Sequence, residues 1–467
     1  MVAAALVLGV SSSLRAAGSE RALIRDAGFR DGDVGYLVYD LERGQILRRH
    51  QPDKAFIPAS MVKIVTGLVA LEVLGAEYRF ETRVFAAESA GGLHLHLSGG
   101  GDPVLVEEDL DELAEALVIA VAGRPVVRFT YDDAALPSLP LVDPSDDSLK
   151  PYNPPVSALS VNFNRQWLRW SRDEVHRVMR VSVRPDFGLA LAGIASRAAT
   201  DGRSIRIVDG PKPLYLLEPK VPAKGHRQVT VRDPAIRAAT MLQFFAARSG
   251  LELPPPQLIS GSPPNAQTIA THQSEPLIGI VEALLKYSNN LSAELIGLAA
   301  AKVIWRDVRN LAESAAAVRT WLAETIPAAA DNRWRASNQS GLASDARVTP
   351  AALLAILQYA AQRRYGPESQ PFLALLPEPS KTSPMKNLSL RAKSGTMFYA
   401  RGQAGVLQSR SGRTLLFVLM HTDFAARRRY EQHPERFTAP VQAAAGVWLS
   451  RARLVEQAIL KHWAASL

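Results

Sequence analysis

Between about residues 80 and 255 the hydrophobic pattern changes period, and this limits the possible folds more than any other feature. Inside that stretch apolar and polar residues alternate, as in HLHLSGG (94–100), VVRFTYDD (126–133), RVMRVSVRP (177–185), SIRIVDG (204–210) and QVTVRDP (228–234). Alternation of period two belongs to half-buried strands. Proline clusters at 136–155 and 212–222 break it into short pieces, and LELPPPQ (251–257) closes it. The flanks read differently. Before it, ERALIRDAGF (20–29) suggests a short helix. VGYLVYD and QILRRH then make two strands around LERG, a hairpin loop with its glycine, and an apolar helix is predicted over 60–75. After it come PLIGIVEALLKYSNN (276–290), LSAELIGLAAAKVI (291–304) and an alanine-rich helix over 311–330. Three strand candidates follow, LRAKSGT, QAGVLQS and TLLFVLMHT, and then a last helix from about 440. Its Trp448, Ala452, Val455, Ile459 and Trp463 share one face, which suits packing on a sheet; a membrane-surface contact is the minority alternative. A chain of 467 residues has room for two or three domains. The pattern therefore predicts an α/β multidomain protein, with one or two β-rich domains over 81–259 inserted into a domain made of 18–80 and 260–467.

Composition excludes several chemistries. The chain has no cysteine, so disulfides, cysteine-based zinc sites and thiol catalysis are all absent. The formal charge of +9 suits an acidic polymer, an anionic surface or nucleic acid. The basic residues are scattered, however, with Arg427-Arg428-Arg429 the one tight run, and no nucleic-acid module accompanies it. VAAALVLGV (2–10), followed by small and polar residues to Ala17, reads as a signal peptide lacking a basic start. It predicts export to the periplasm and cleavage near residue 17.

Three short motifs carry the chemistry. In AFIPASMVKIVTG (55–67), Ser60 and Lys63 stand three apart at the head of the apolar helix. That spacing puts both on one face, within reach of each other. The positive end of a helix disfavours a charged lysine and favours a developing alkoxide, so the pair suits a nucleophile and its base. Alone it is as consistent with two surface residues. Ser288-Asn289-Asn290 ends a helix, and alone it reads as a cap. Lys393-Ser394-Gly395-Thr396 lies in a late strand, where a glycine often marks close approach of another backbone or a ligand and a lysine beside hydroxyls suits a carboxylate.

Taken in order, S-x-x-K, S-x-N and K-[ST]-G resemble the triple signature of the penicillin-recognising serine enzymes. The 228-residue gap from Ser60 to Ser288 exceeds what a single-domain β-lactamase needs. With SGGGDPVL (98–105), YNPPVSALSVNFN (152–164) and SGLASDARVTP (340–350), the chain is similar to the D-Ala-D-Ala carboxypeptidase/endopeptidase family of class C low-molecular-mass penicillin-binding proteins. The resemblance implies a transpeptidase-like catalytic domain, an antiparallel sheet covered by helices, with no cofactor and no metal. Its partners would be peptidoglycan stem peptides and β-lactams. By the same resemblance Ser60 attacks the penultimate D-Ala carbonyl, Lys63 takes its proton, Ser288 relays a proton to the leaving amine, and Asn290 binds the substrate amide and Lys63. Lys393, Ser394 and Thr396 hold the terminal carboxylate beside Gly395, and the Ser60 and Thr396 N–H groups form the oxyanion hole. Two positions depart from the family pattern: Ser394 replaces a commoner threonine, and Asn338-Gln339 stand before Ser340-Gly341 where Asp-Gly is expected. The second departure bears on a supporting contact near the site.

The alternatives are a β-lactamase, a catalytically idle wall-binding protein of the same fold and, more distantly, a nucleic-acid binder. Asp186-Phe187-Gly188 spells a kinase triad without the rest of the kinase set, Gly99-Gly100-Gly101 lacks the lysine of a phosphate loop, and His94 with His96 lacks a third metal ligand.

Overall fold

The computed structural model describes residues 20–146, 150–173, 178–184, 205–208, 214–217, 222–329, 333–436 and 438–467. Residues 1–17, expected to be a signal peptide, and the 186–188 triad lie outside the described residues. The chain forms two compact units: Met1–Glu72 with Val281–Ser288 and Ala315–Leu467, and Val73–Ile280 with Asn289–Ser314.

The first unit is built on a five-stranded antiparallel sheet. Its strands are β1 (Val34–Asp40), β2 (Gln45–His50), β3 (Leu390–Met397), β4 (Ala400–Gln408) and β5 (Thr414–Thr422), in the order β3-β4-β5-β1-β2. The LERG loop turns β1 into β2 as the sequence predicts. Asp40 accepts hydrogen bonds from the backbone N–H of Glu42 and Arg43, and Gly44 takes the left-handed conformation at φ 68°. β1 is buried on both faces. Val34, Tyr36 and Val38 pack with Leu415, Phe417 and Leu419 against the terminal helix, Ala439–Ser466, whose Trp448, Ala452, Val455, Ile459 and Trp463 are all buried there. A tryptophan stripe at helical spacing thus serves as core. On the opposite face Gly35 leaves room for the Phe56 ring and for Pro350, at the head of the helix Pro350–Ala361.

Phe56 belongs to the segment that leads to Ser60. It bridges Val348 as an isolated β-pair, and the Ile57 N–H donates to the Thr422 hydroxyl at 3.3 Å. Behind it the helix Val62–Leu74 has every residue from Val62 to Leu71 buried. A helix buried on every side over about three turns has no solvent face, which matches its nearly continuous apolar sequence.

The second unit holds a five-stranded mixed sheet in the order 257–258, 126–132, 92–99, 81–89, 267–273, a three-stranded sheet in the order 224–230, 165–173, 178–184, and a strand pair 205–208 with 214–217. Among its helices, Glu107–Val121 and Pro234–Arg248 pack on each other and share one apolar core with the five-stranded sheet. The predicted β-rich texture is therefore incomplete: the strands are there, and helices cover one of the sheets.

Candidate active site

Ser60 sits in a single 3-10 turn, Ala59–Met61, and Lys63 in the first turn of the helix that follows, so the predicted continuous helix from residue 60 begins two residues later. Ala59 adopts φ 45°, a left-handed conformation that costs an L-residue energy and persists only where the surroundings enforce it. Two glycines supply that enforcement. A Cβ on Gly395 would fall inside van der Waals contact of the Pro58 carbonyl oxygen, and one on Gly341 would collide with the Ala59 carbonyl. Gly341 is itself left-handed at φ 72°. The turn bearing Ser60 is thus gripped between the backbones of β3 and the 338–342 loop. This is the close approach that a glycine within a strand signals.

Lys63 is fully buried, and its Nζ lies 3.0 Å from Ser60 Oγ and 2.6 Å from the Ser340 carbonyl oxygen. One turn on, Thr66 Oγ1 donates to the Gln339 carbonyl at 2.7 Å, while Asn338 Oδ1 accepts from the Gly341 N–H at 3.0 Å. The Asn338-Gln339 departure noted in the sequence is absorbed in this way. The Ser340 and Gln339 carbonyls that meet Lys63 and Thr66 are backbone groups, which any residue supplies, and the Gln339 side chain adds its Oε1 at 3.2 Å from Thr66 Oγ1.

Ser288 follows the helix Leu277–Tyr287 in the left-handed conformation, φ 59°. Its hydroxyl accepts from Lys393 Nζ at 2.8 Å, and Lys393 also donates to the Ser394 carbonyl at 3.1 Å. Lys393 is 3% exposed. Burial, and secondarily the charge of Arg401, pulls its pKa down to about 8. Lys393 and Gly395 share a strand face because they are two residues apart, and that face meets the Pro58–Met61 turn. Thr396 is exposed. β3 is the edge of the sheet, and the Ala392 N–H points away from β4 to the Pro377 carbonyl at 3.0 Å. By the two-residue alternation the Ser394 and Thr396 N–H groups point to the same open edge.

Ser60, Lys63, Ser288, Lys393, Ser394, Gly395 and Thr396 all belong to the first unit. Asn290 belongs to the second, where it opens the helix Asn290–Ile304 and donates from Nδ2 to the Tyr152 carbonyl at 2.7 Å. Asn289 caps that helix by accepting from the Ser292 N–H at 3.1 Å. His94 and His96 meet on the Thr130 hydroxyl at 2.8 and 2.9 Å, and His96 reaches Asp132 at 2.6 Å, a buried hydrogen-bonded network that engages both nitrogens of His96. Sequence reasoning missed the Ser340 carbonyl and the pair Arg401–Glu456. Arg401 was within reach of inference, because a two-residue hairpin after Met397 places it opposite Thr396.

The site thus brings together a hydroxyl at a strained turn, an amine within hydrogen-bond reach of it, and a second lysine–serine pair beside an open strand edge. The chain belongs to the D-Ala-D-Ala carboxypeptidase 3 (S13) family, whose description matches residues 21–439. It is 29% identical over 356 residues to a D-alanyl-D-alanine carboxypeptidase of Actinomadura, an alignment covering 68% of this chain and 62% of that protein. It thus spans less than two thirds of that relative's length. A carboxypeptidase of Mycobacterium tuberculosis is 27% identical over 416 residues, covering 84% of this chain and 77% of the other. In fold the chain is similar to penicillin binding protein 4 of Haemophilus influenzae, with a TM-score of 0.70 at 19% identity, over 90% of this chain and 98% of that one.

Proposed function

We propose that this protein is a serine-type D-Ala-D-Ala carboxypeptidase, D,D-endopeptidase or both, acting on peptidoglycan stem peptides through an acyl-enzyme on Ser60. The observation that carries the reading is the 3.0 Å contact between Lys63 Nζ and Ser60 Oγ at a strained, glycine-gripped turn. In its neutral form the Lys63 amine accepts the Ser60 proton as Oγ attacks the penultimate D-Ala carbonyl. The Ser60 and Thr396 N–H groups stabilise the oxyanion, the second because it points to the open edge of β3. Ser288, hydrogen-bonded to Lys393, relays to the departing amine the proton that Lys63 took from Ser60, giving its own hydrogen as it takes that one up, so Lys63 is neutral again and free D-Ala or the second stem leaves. Water then breaks the Ser60 ester and regenerates the hydroxyl. Protonated Lys393, with the Ser394 and Thr396 hydroxyls, holds the terminal carboxylate by charge-assisted hydrogen bonds. A β-lactam enters the same path and leaves a longer-lived adduct.

In this reading residues 81–259 are inserted into the catalytic domain, and the N-terminal apolar run exports the chain to the periplasm. Among the described residues no helix is long and apolar enough to cross a membrane. The test is release of free D-alanine from a synthetic stem peptide ending in D-Ala-D-Ala, beside release of monomers from a D,D-crosslinked dimer. The expected result is turnover of at least one substrate by the wild type and none by Ser60→Ala. Turnover of neither, with the protein folded, would contradict the peptidase reading.

A further inference from the structure

Thr396 is the most exposed of the proposed carboxylate-binding residues, yet its hydroxyl is not left to solvent. Arg401, directly opposite on β4, donates from Nη1 to Thr396 Oγ1. The other side of the same guanidinium is clamped. Nε donates to Glu456 Oε2 at 3.1 Å and Nη2 to Glu456 Oε1 at 2.6 Å, the bidentate geometry that fixes an arginine in plane. Glu456 is 1% exposed, lies on the terminal helix, and also accepts from Gln403 Nε2 at 2.6 Å. Burying a carboxylate is costly unless it is paired and hydrogen-bonded, and this one is both.

The consequence concerns the direction of one proton. A hydroxyl has one hydrogen to donate and two lone pairs to accept with. With Arg401, which can only donate, occupying a lone pair of Thr396, the Thr396 hydrogen must turn away from Arg401. Since Thr396 is exposed on the edge strand, that hydrogen is free to be donated to a group bound along the open edge. We propose that Glu456, Arg401 and Thr396 form a relay that presets the Thr396 hydroxyl as a donor to the substrate carboxylate, with Arg401 and Glu456 as positioning residues. The inference rests on the peptidase reading and adds to it a specificity determinant carried by the C-terminal helix, 55 residues from Arg401 in sequence. Arg401 also places positive charge near Lys393, so both lysine and threonine ends of the carboxylate site depend on one clamped guanidinium.

The experiment compares the second-order acylation rate by a penicillin with its free carboxylate and by the same penicillin as its methyl ester. Wild type, Arg401→Gln, Arg401→Lys, Glu456→Gln and Thr396→Val are measured, with thermal melts alongside. The relay predicts that Arg401→Gln loses about tenfold or more with the free acid but less than about twofold with the ester, the loss of one hydrogen bond to a charged group. It further predicts that Arg401→Lys restores part of the rate with the acid. In the Thr396→Val background, where the fold keeps its surface and loses only the hydroxyl, Arg401→Gln should cost much less than it does alone. Equal losses with acid and ester, or full additivity of the two substitutions, would overturn the relay and leave the peptidase reading standing. No Ser60-dependent adduct of wild type with either ligand would overturn that reading, and the relay with it.

Discussion

Ser60 and Lys63 show how little chain is needed to place a hydroxyl beside an amine, and how much is needed to hold them there. The two residues are three apart, and that spacing was legible at once. The left-handed Ala59 and the glycine grip on its turn were not, because they depend on Gly341 in a distant loop and Gly395 in a still more distant strand. Gly395 was legible as a strand glycine with a purpose, since a Cβ there would press on the Pro58 carbonyl. Gly395→Ala should therefore destabilise the protein by about 1–3 kcal/mol through overpacking and slow Ser60 acylation, measured by denaturant melts and labelling rates. An unchanged melt with unchanged labelling would contradict the tight approach. Lys393 gives a prediction about pH. In the proposed role it would bind a carboxylate in its protonated form, and its pKa is lowered to about 8 by burial first and Arg401's charge second. Acylation by carboxylate-bearing lactams should then fall as pH rises through about 8, and not near 10.5 as for an ordinary lysine. A plateau extending past pH 9.5 would contradict it. Glu456 escaped the sequence because a glutamate 55 residues from its arginine partner carries no periodic signal, although the hairpin placed Arg401 itself.

At the level of elements, strands and long apolar helices followed their periodicities, and the short amphipathic helices of the second unit did not announce themselves. Glu107–Val121 buries Leu110, Leu113, Ala114, Leu117 and Val121, a helical spacing, and opens on Glu107, Glu108 and Asp109, the acidic first turn that suits a helix start. The signal was present, but strands on either side set the expected period and masked it. The terminal helix was read correctly as core, and its energetic weight follows from its contacts. Trp463 is fully buried, lies 5.6 Å from Tyr36 and 6.2 Å from Phe417 between ring centres, and donates from Nε1 to Glu20 at 3.0 Å. Trp463→Ala should cost about 3–5 kcal/mol, read as a shift of the urea midpoint with unchanged slope. A loss below about 1 kcal/mol would mean that this helix is a surface attachment rather than part of the core.

For the whole molecule, composition restricted the chemistry and the change of hydrophobic period foretold an interrupted domain. It did not foretell that Ser288 and Asn290, two places apart, fall in different compact units, because such a division depends on three-dimensional contacts. Stability toward acid should reflect His421, wholly buried, with its pKa lowered to about 3 by burial first and by Arg401 second. The sign follows from proton counts. Below the ordinary histidine value of about 6.5 the unfolded chain binds a proton that the folded one refuses, so stability falls as pH drops from 6.5 toward 3. His421→Leu should flatten that part of the pH profile, whereas an unaltered slope would contradict the assignment. The central claim remains covalent chemistry at Ser60, and one measurement meets it most directly: incubation of wild type and Ser60→Ala with a fluorescent penicillin, with mass spectrometry of the labelled peptide. The account predicts a single adduct on Ser60 that disappears in the variant. No adduct on folded wild-type protein, or an adduct that persists in Ser60→Ala, would contradict it.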